Sequence, residues 1–214
     1  MSRGGTSEVV GAIEAAGHRN EPRCLALSHN DQTLLSAADG DAKVWSLKTQ
    51  QCVRTLPCGY GLSAIFVLSS RFVIIGTKEG ELQAFCVATG DMVQEVAAHK
   101  GAVWSISLQP GAGSTTLLTA SADKSIAVWQ ISELGSTEIS IEMERSLDLG
   151  DDVMCSRFTP DSKYIAAGLL DASIRLLFFD TFKCVSWSRT IHRRPVSLPR
   201  RPGAARIPRI LGRI

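Results

Sequence analysis

One ten-residue phrase returns four times along the chain, and it constrains the fold more than any other feature. Ser36–Trp45 reads SAADGDAKVW, Gly76–Phe85 reads GTKEGELQAF, Ala120–Trp129 reads ASADKSIAVW and Gly168–Leu177 reads GLLDASIRLL. The phrases end at residues 45, 85, 129 and 177, which sets spacings of 40, 44 and 48 residues. A period of this size marks an array of supersecondary units, none of which buries its apolar face alone. The longest gap holds the polar stretch Ser132–Ile141, SELGSTEISI, which is expected as a long loop between units. Three further markers keep the same phase: Gly17-His18, Ala98-His99 and Ile191-His192.

Within a unit the pattern is that of short strands. Val103, Ser105 and Ser107 alternate with Trp104, Ile106 and Leu108, then come Leu117–Ala120 and Ile126–Trp129, separated by polar turns. A further strand follows each aromatic position, at Gln51–Leu56, Met92–Ala97 and Glu142–Leu147. Four strands in each unit of about 40–45 residues is the blade of a β-propeller. The expected fold is therefore all-β: a partial propeller of about four blades, at 17–56, 57–97, 98–147 and 148–188. Residues 1–16 form a lead-in, and an irregular basic tail occupies 189–214. A propeller usually needs more blades to close its circle, so the chain is expected to be a piece of a larger ring with open strands at both ends. Such strands invite pairing with other chains, so aggregation or dependence on a partner is expected.

The net charge of +2 hides an asymmetry. Arg189–Ile214 contains eight Arg and no acid, which leaves Met1–Ser188 with 15 − 21 = −6. The tail also holds four of the eight prolines and lacks an apolar period, so it is not expected to pack as a regular element. Two readings of it stand. It is a basic arm whose Arg193, Arg194, Arg200 and Arg201 contact RNA phosphates in a salt-sensitive way, or it is a product of a shifted reading frame or retained intron. The acidic balance of the remainder favours protein partners over general nucleic-acid binding.

Chemistry finds little foothold. The histidines His18, His29, His99 and His192 are far apart, and no His-x-x-x-His or paired-Cys spacing occurs, so no metal site is expected. Six cysteines sit in or beside apolar runs and read as small buried hydrophobes in a reducing compartment. The glycine pairs at Gly59–Gly61 and Gly111–Gly113 lack the Lys-Ser/Thr of a phosphate loop and read as turns. A Ser–His–Asp set can be assembled from His99, Ser121 and Asp123, but the repeat phase gives these residues a structural task. Asp151-Asp152 reads as a solvated turn, and Trp104 is expected to be wedged between blades. No run of eighteen apolar residues and no secretory leader occur, so neither a membrane span nor a signal is expected. No catalytic residue, cofactor or small-molecule substrate is expected.

At Ala98–Trp129 the pattern resembles the WD-repeat family: an Ala-His opening, a turn Asp123 six residues before the aromatic, and a strand-ending Trp129. The resemblance implies that His99, Thr119, Asp123 and Trp129 form a stabilising hydrogen-bond tetrad, with His18, Asp39 and Trp45 its counterparts in the first repeat. A buried Asp needs donors, and an imidazole, a hydroxyl and an indole N–H can satisfy such a network. The second repeat has Glu79 and Phe85, and the fourth has Asp171 and Leu177, so both are expected to lack the full network. The strings VIIGTKEGELQ, AHKGAVWSISL, ADKSIAVW and DDVMCSRFTPDSKYIAAGLLDASIRLLFFDTFK are also similar to the double-propeller WD-repeat subunit of the UTP-B complex, from about Gly17 to Cys184. That likeness implies a nucleolar, non-enzymatic scaffold of the small-subunit processome, acting in pre-rRNA processing and 40S assembly. Its partners would be other WD-repeat UTP-B subunits and processome proteins, with pre-rRNA or snoRNA reached through the complex. The alternative is a cytosolic WD-repeat adaptor that binds peptide or protein ligands.

Overall fold

The computed structural model describes residues 17–111 and 113–189, with side chains to Val185. The lead-in at 1–16 and the tail from 190 onward lie outside the described residues, and with them Arg193, Arg194, Arg200 and Arg201. The described chain is all strand and turn. The first sheet is β1 (Cys24–Leu27), β2 (Thr33–Ala37), β3 (Asp41–Ser46) and β4 (Gln51–Pro57). The second is β5 (Gly61–Val67), β6 (Phe72–Thr77), β7 (Glu81–Cys86) and β8 (Met92–Ala97). The third is β9 (Val103–Leu108), β10 (Thr116–Ser121), β11 (Ser125–Glu133) and β12 (Ile139–Asp148). The fourth is β13 (Val153–Phe158), β14 (Tyr164–Leu169), β15 (Ser173–Phe178) and β16 (Cys184–Arg189). Each sheet is an antiparallel meander in chain order, so every contact within a sheet is local in sequence.

The sheets stack front to back, and three apolar clusters fill the gaps. Leu35, Ala37, Val44, Phe66, Val73 and Phe85 join the first sheet to the second. Phe72, Ile74, Leu82, Val103, Leu117 and Trp129 join the second to the third. Leu118, Ile126, Val128, Val153, Phe158 and Ile165 join the third to the fourth. Four sheets with three apolar interfaces form an open arc. The consequence is written along the second strands. All six residues of β6, FVIIGT, are buried because both faces of that sheet are covered, whereas β14, YIAAGL, alternates half-buried with buried because only one face is. The apolar surface left uncovered at the arc's ends therefore lies on sheet faces rather than along strand edges.

Close approach of neighbouring sheets requires small residues. A Cβ on Gly76 would lie 2.6 Å from Ser63 Oγ and 2.7 Å from Val103 Cγ1, so glycine is what lets β9 pass over β6.

Several local expectations give way. Ser132–Ile141 is not a long loop: β11 runs on to Glu133 and β12 begins at Ile139, leaving only 134–138 between them. Ile131, Ile139 and Ile141 are buried against the second sheet, and this alternation of apolar with polar residues extends the hairpin. Trp104 is not wedged between blades, because the pairing skips it. Ser105 pairs with Ala120 and Val103 with Ser121, so Trp104 is the extra residue of a β-bulge and its ring is exposed. The same bulge returns Val103 and Ile106 to one face, where strict alternation separates them. Of the six cysteines only Cys86 is buried; Cys24, Cys52 and Cys58 are half-buried, and Cys155 and Cys184 are exposed.

Candidate functional site

In the third sheet His99 sits where the chain leaves β8, and its side chain is almost fully buried. Its Nδ1 lies 3.0 Å from Asp123 Oδ2 and 3.0 Å from Ser125 Oγ, and its Nε2 lies 2.7 Å from Thr119 Oγ1. Trp129 Nε1–H donates to the same Thr119 oxygen at 2.9 Å. Asp123 also accepts from the Lys100 backbone N–H at 3.0 Å, the Ser125 N–H at 3.0 Å and the Ser125 hydroxyl at 2.6 Å. Burial holds the His99 imidazole below its ordinary pKa against the opposing pull of Asp123. Burial also pushes the Asp123 carboxyl up, but the Ser125 hydroxyl, the backbone donors and His99 outweigh it and hold the group below its ordinary value. The pair is thus a neutral imidazole against a carboxylate. One proton arrangement connects carboxylate to indole: Nδ1–H donates to Asp123, and Nε2 accepts the Thr119 hydroxyl proton, which is then not given to the Ala127 carbonyl at 3.3 Å, while the Thr119 oxygen accepts from the indole.

The first sheet builds the same network with one substitution in the chain. His18 Nδ1 bonds Asp41 Oδ1, His18 Nε2 lies 2.6 Å from Ser36 Oγ, and Trp45 Nε1–H donates to Ser36 Oγ at 2.8 Å. The carboxylate is that of Asp41, not Asp39; the backbone carbonyl of Asp39 instead accepts from Asn20 Nδ2, outside the network. The reason is turn length. Ala120 pairs with Ile126, which leaves residues 121–125 in the turn, whereas Ala37 pairs with Ala42, which leaves only 38–41. The shorter turn passes through Gly40 at φ +86°, and the carboxylate comes from Asp41, five residues after Ser36 where Asp123 is four after Thr119, at the strand position that Ser125 holds in the third sheet. Asp41 also meets Lys43 Nζ at 3.5 Å, and that ammonium donates to Thr55 Oγ1 at 3.1 Å.

The second and fourth sheets replace the network wholesale. Register places Ile75 and Ala167 at the position of Thr119, and Phe85 and Leu177 at that of Trp129. All four are buried, and so is Leu149, which stands at the position of His99. Substituting the imidazole, the central hydroxyl and the indole together strands none of those three, although in the fourth sheet the hydroxyl of Ser173, at the position of Ser125, is buried without a hydrogen-bond partner. Ser36, Asp41 and Ser125 are the members that the repeat pattern did not single out; the strand register identifies them.

These polar groups are saturated, which decides what chemistry they can do. Ser121 does not complete a triad: its hydroxyl donates to the Gly101 carbonyl at 2.9 Å and accepts from Asp123 N–H at 3.0 Å. Asp151 closes its own turn by accepting from the Asp152 N–H at 2.9 Å. Among the described residues no group of three or more His, Cys, Asp or Glu side chains gathers to hold a metal, and no helix is long and apolar enough to cross a membrane.

What the sheets offer outward is an apolar rim. The first-strand bulge recurs in the second, third and fourth sheets, and the residue it sets aside is Leu62, Trp104 and Met154 in turn. Trp104 and Met154 are each more than a third exposed. The position before Cys24 in the first sheet is Arg23, which donates through Nε to the Tyr60 hydroxyl at 2.9 Å, while Lys78 Nζ lies 5.3 Å from the centre of the same ring. Equivalent places on successive first strands thus carry Arg23 and, set aside by a bulge, Leu62, Trp104 and Met154; arginine, methionine and aromatic side chains are enriched in interface cores.

The chain matches the family model described as the WDR3 second beta-propeller domain over residues 21–197. It is 39% identical over 176 residues to WD repeat-containing protein 3 of Mus musculus, a match that covers 80% of the chain and 18% of the mouse protein. It is 34% identical over 186 residues to the WD repeat-containing protein 3 homolog of Dictyostelium discoideum, covering 84% of the chain and 20% of that protein. It is likewise 34% identical over 182 residues to U3 small nucleolar RNA-associated protein 12 of Saccharomyces cerevisiae, covering 80% of the chain and 19% of the yeast protein. The chain thus spans about a fifth of the length of these relatives.

Proposed function

Because the chain belongs to the WDR3 second beta-propeller domain family, we propose that it is a non-enzymatic WD-repeat scaffold of the small-subunit processome. It acts in pre-rRNA processing and assembly of the 40S subunit. The observation that carries this reading is the similarity along most of the chain to a yeast protein named for its association with U3 small nucleolar RNA. The mechanism is display. Stacked sheets whose polar groups are used internally hold the bulge residues Trp104 and Met154 at fixed separations, and a partner gains affinity because little ordering is left to do on binding. The partners are processome proteins, including other WD-repeat subunits of UTP-B. Pre-rRNA and snoRNA are reached through the complex, in the nucleolus.

The network of the third sheet supports the absence of catalysis in this reading, since the Ser121 hydroxyl and the Asp123 carboxylate, its candidates for nucleophile and base, are already bonded to neighbouring backbone and side-chain groups. The test is purification of the tagged chain from cultured cells, with U3 RNA quantified against a spliceosomal RNA. Enrichment of U3 together with UTP-B proteins supports the proposal. Equal recovery of both RNAs, or recovery of cytosolic signalling proteins without RNA, refutes it.

A further inference from the structure

The eighth place of the recurring ten-residue phrase is held by Lys43, Gln83, Ala127 and Arg175, three long polar side chains and one alanine. Strand register sets the first three opposite Thr55 of β4, Glu95 of β8 and Ser146 of β12, each on the outermost strand of its sheet. Lys43 is buried, and its ammonium donates to Thr55 Oγ1 at 3.1 Å and lies 3.5 Å from Asp41 Oδ2. Gln83 is also buried, and its amide donates to Glu95 Oε1 at 2.7 Å. In these two sheets a long side chain of the third strand thus bonds the outer strand. Ala127 stops at its Cβ, and no described group bonds the Ser146 hydroxyl opposite it. A cleft of about 410 Å³ opens there, between the end of β8 and the outer strands of the third sheet. Ala97, Ala98 and the half-exposed Met143 give it apolar walls, and two carboxylates, Asp123 and Asp148, face it against one ammonium, Lys100. Asp123 is saturated by His99, Lys100 N–H and Ser125. Asp148 Oδ1 accepts from Gly150 N–H at 2.7 Å, but among the described residues nothing bonds its Oδ2.

We propose that this cleft receives the side chain of a lysine from a partner protein. The stem lies along Ala97, Ala98 and Met143, since lysine buries its methylenes on apolar surface while its head stays with polar groups. The ammonium reaches Asp148 Oδ2 and the Ser146 hydroxyl, which stands where Thr55 receives Lys43. The third sheet thereby takes from outside the group that the first sheet supplies from its own chain. Lysine rather than arginine fits because the free acceptors are single oxygens on separate residues, whereas a guanidinium fork is matched by both oxygens of one carboxylate, and Asp148 has one already bonded. The cleft lies between the second and third sheets, on strands other than those that carry Trp104 and Met154, so it stands apart from the bulge rim and from the identity of the complex.

The test is nuclear magnetic resonance of the full chain with labelled methionine methyl groups, titrated with Nα-acetyl-lysine methylamide. The Met143 methyl is expected to shift with half-saturation at about 1–10 mM, while that of Met154 stays in place. Asp148→Asn, which keeps an acceptor for Gly150, should weaken the probe about two- to fivefold. Ala127→Lys should supply the occupant from within, as Lys43 does, and abolish the shift; if that variant does not fold by circular dichroism, Asp148→Asn decides alone. No Met143 shift, an equal shift with Nα-acetyl-norleucine methylamide, or an unchanged response in a folded variant overturns the proposal, and tighter binding of Nα-acetyl-arginine methylamide overturns the choice of lysine. The partner is tested by carbodiimide coupling of the tagged chain purified with its associated proteins. Asp148 should be joined to a lysine of another polypeptide, and Ala127→Lys should lose that link. Links from Asp148 to Lys100 alone, or none, overturn the proposal whether or not U3 RNA is recovered, whereas a retained link without U3 RNA counts against the proposed function only.

Discussion

Removing one member of the His99 network should cost more than removing two neighbours costs per residue. Thr119→Val deletes the oxygen that receives Trp129 Nε1–H at 2.9 Å and faces His99 Nε2 at 2.7 Å, leaving two buried polar atoms without that partner. At about 1–3 kcal/mol for each orphaned group, the expected loss is about 2–6 kcal/mol. His99→Leu removes a bond to a carboxylate and one to a hydroxyl, for about 2–4 kcal/mol. Asp123 keeps the Lys100 and Ser125 donors and Thr119 keeps Trp129, so neither is stranded. In the double variant the orphaned imidazole nitrogen no longer exists. Its cost should therefore fall short of the sum of the single costs by about 1–3 kcal/mol, a coupling well outside the ~0.5 kcal/mol within which independent sites add. The assay is urea denaturation at one protein concentration, with equal m-values confirming comparable transitions. Additivity within about 0.5 kcal/mol would refute the shared network.

In the first sheet, Asp41→Ala should destabilise by about 1–3 kcal/mol because it strands His18, whereas Asp39→Ala should change stability by less than about 0.5 kcal/mol; the same urea melts check both. Acidification should weaken the fold in two steps. The folded pKa of His99 lies below the unfolded value of about 6.5, so the unfolded chain takes the proton first and stability falls as pH drops below that value; Asp123, also lowered, adds a loss below about 4. Melts between pH 7 and 5 should show a shallower slope in His99→Leu than in the wild type. Gly76→Ala should cost about 1–3 kcal/mol because its Cβ meets Val103, while Gly135→Ala, with open space around it, should stay within about 0.5 kcal/mol by thermal melting.

The repeat phase is legible in the sequence because each unit ends in an aromatic or large apolar residue that must reach the neighbouring sheet. Trp45, Phe85, Trp129 and Leu177 all do so or lie buried beside it. The apolar networks of the second and fourth sheets are legible for the same reason, since Phe85 and Leu177 announce the loss of an indole donor. Asp41 is not, because SAADGDAKVW and ASADKSIAVW align without a gap at their tryptophans; the missing turn residue shows only when Ala37 is seen paired with Ala42. The exposure of Trp104 is likewise invisible to a period-two reading. A bulge changes the phase of a strand through hydrogen bonding with its neighbour, and no residue in VWSISL marks it. Cysteines in apolar runs read as buried, yet Cys155 is exposed because no fifth sheet covers its face among the described residues. The hairpin of β11 and β12 was hidden by the serines and glutamates on its exposed side, although Ile139 and Ile141 carry the inward alternation.

The most direct test of display by the bulge rim is U3 RNA recovery with the tagged chain carrying Trp104→Ser and Met154→Ser together. Both side chains are more than a third exposed, so the fold should be retained, which circular dichroism verifies. The account predicts that U3 recovery and UTP-B proteins fall together by about tenfold or more, the loss of roughly 1.4 kcal/mol of binding or greater. Undiminished recovery by a folded double variant would contradict it.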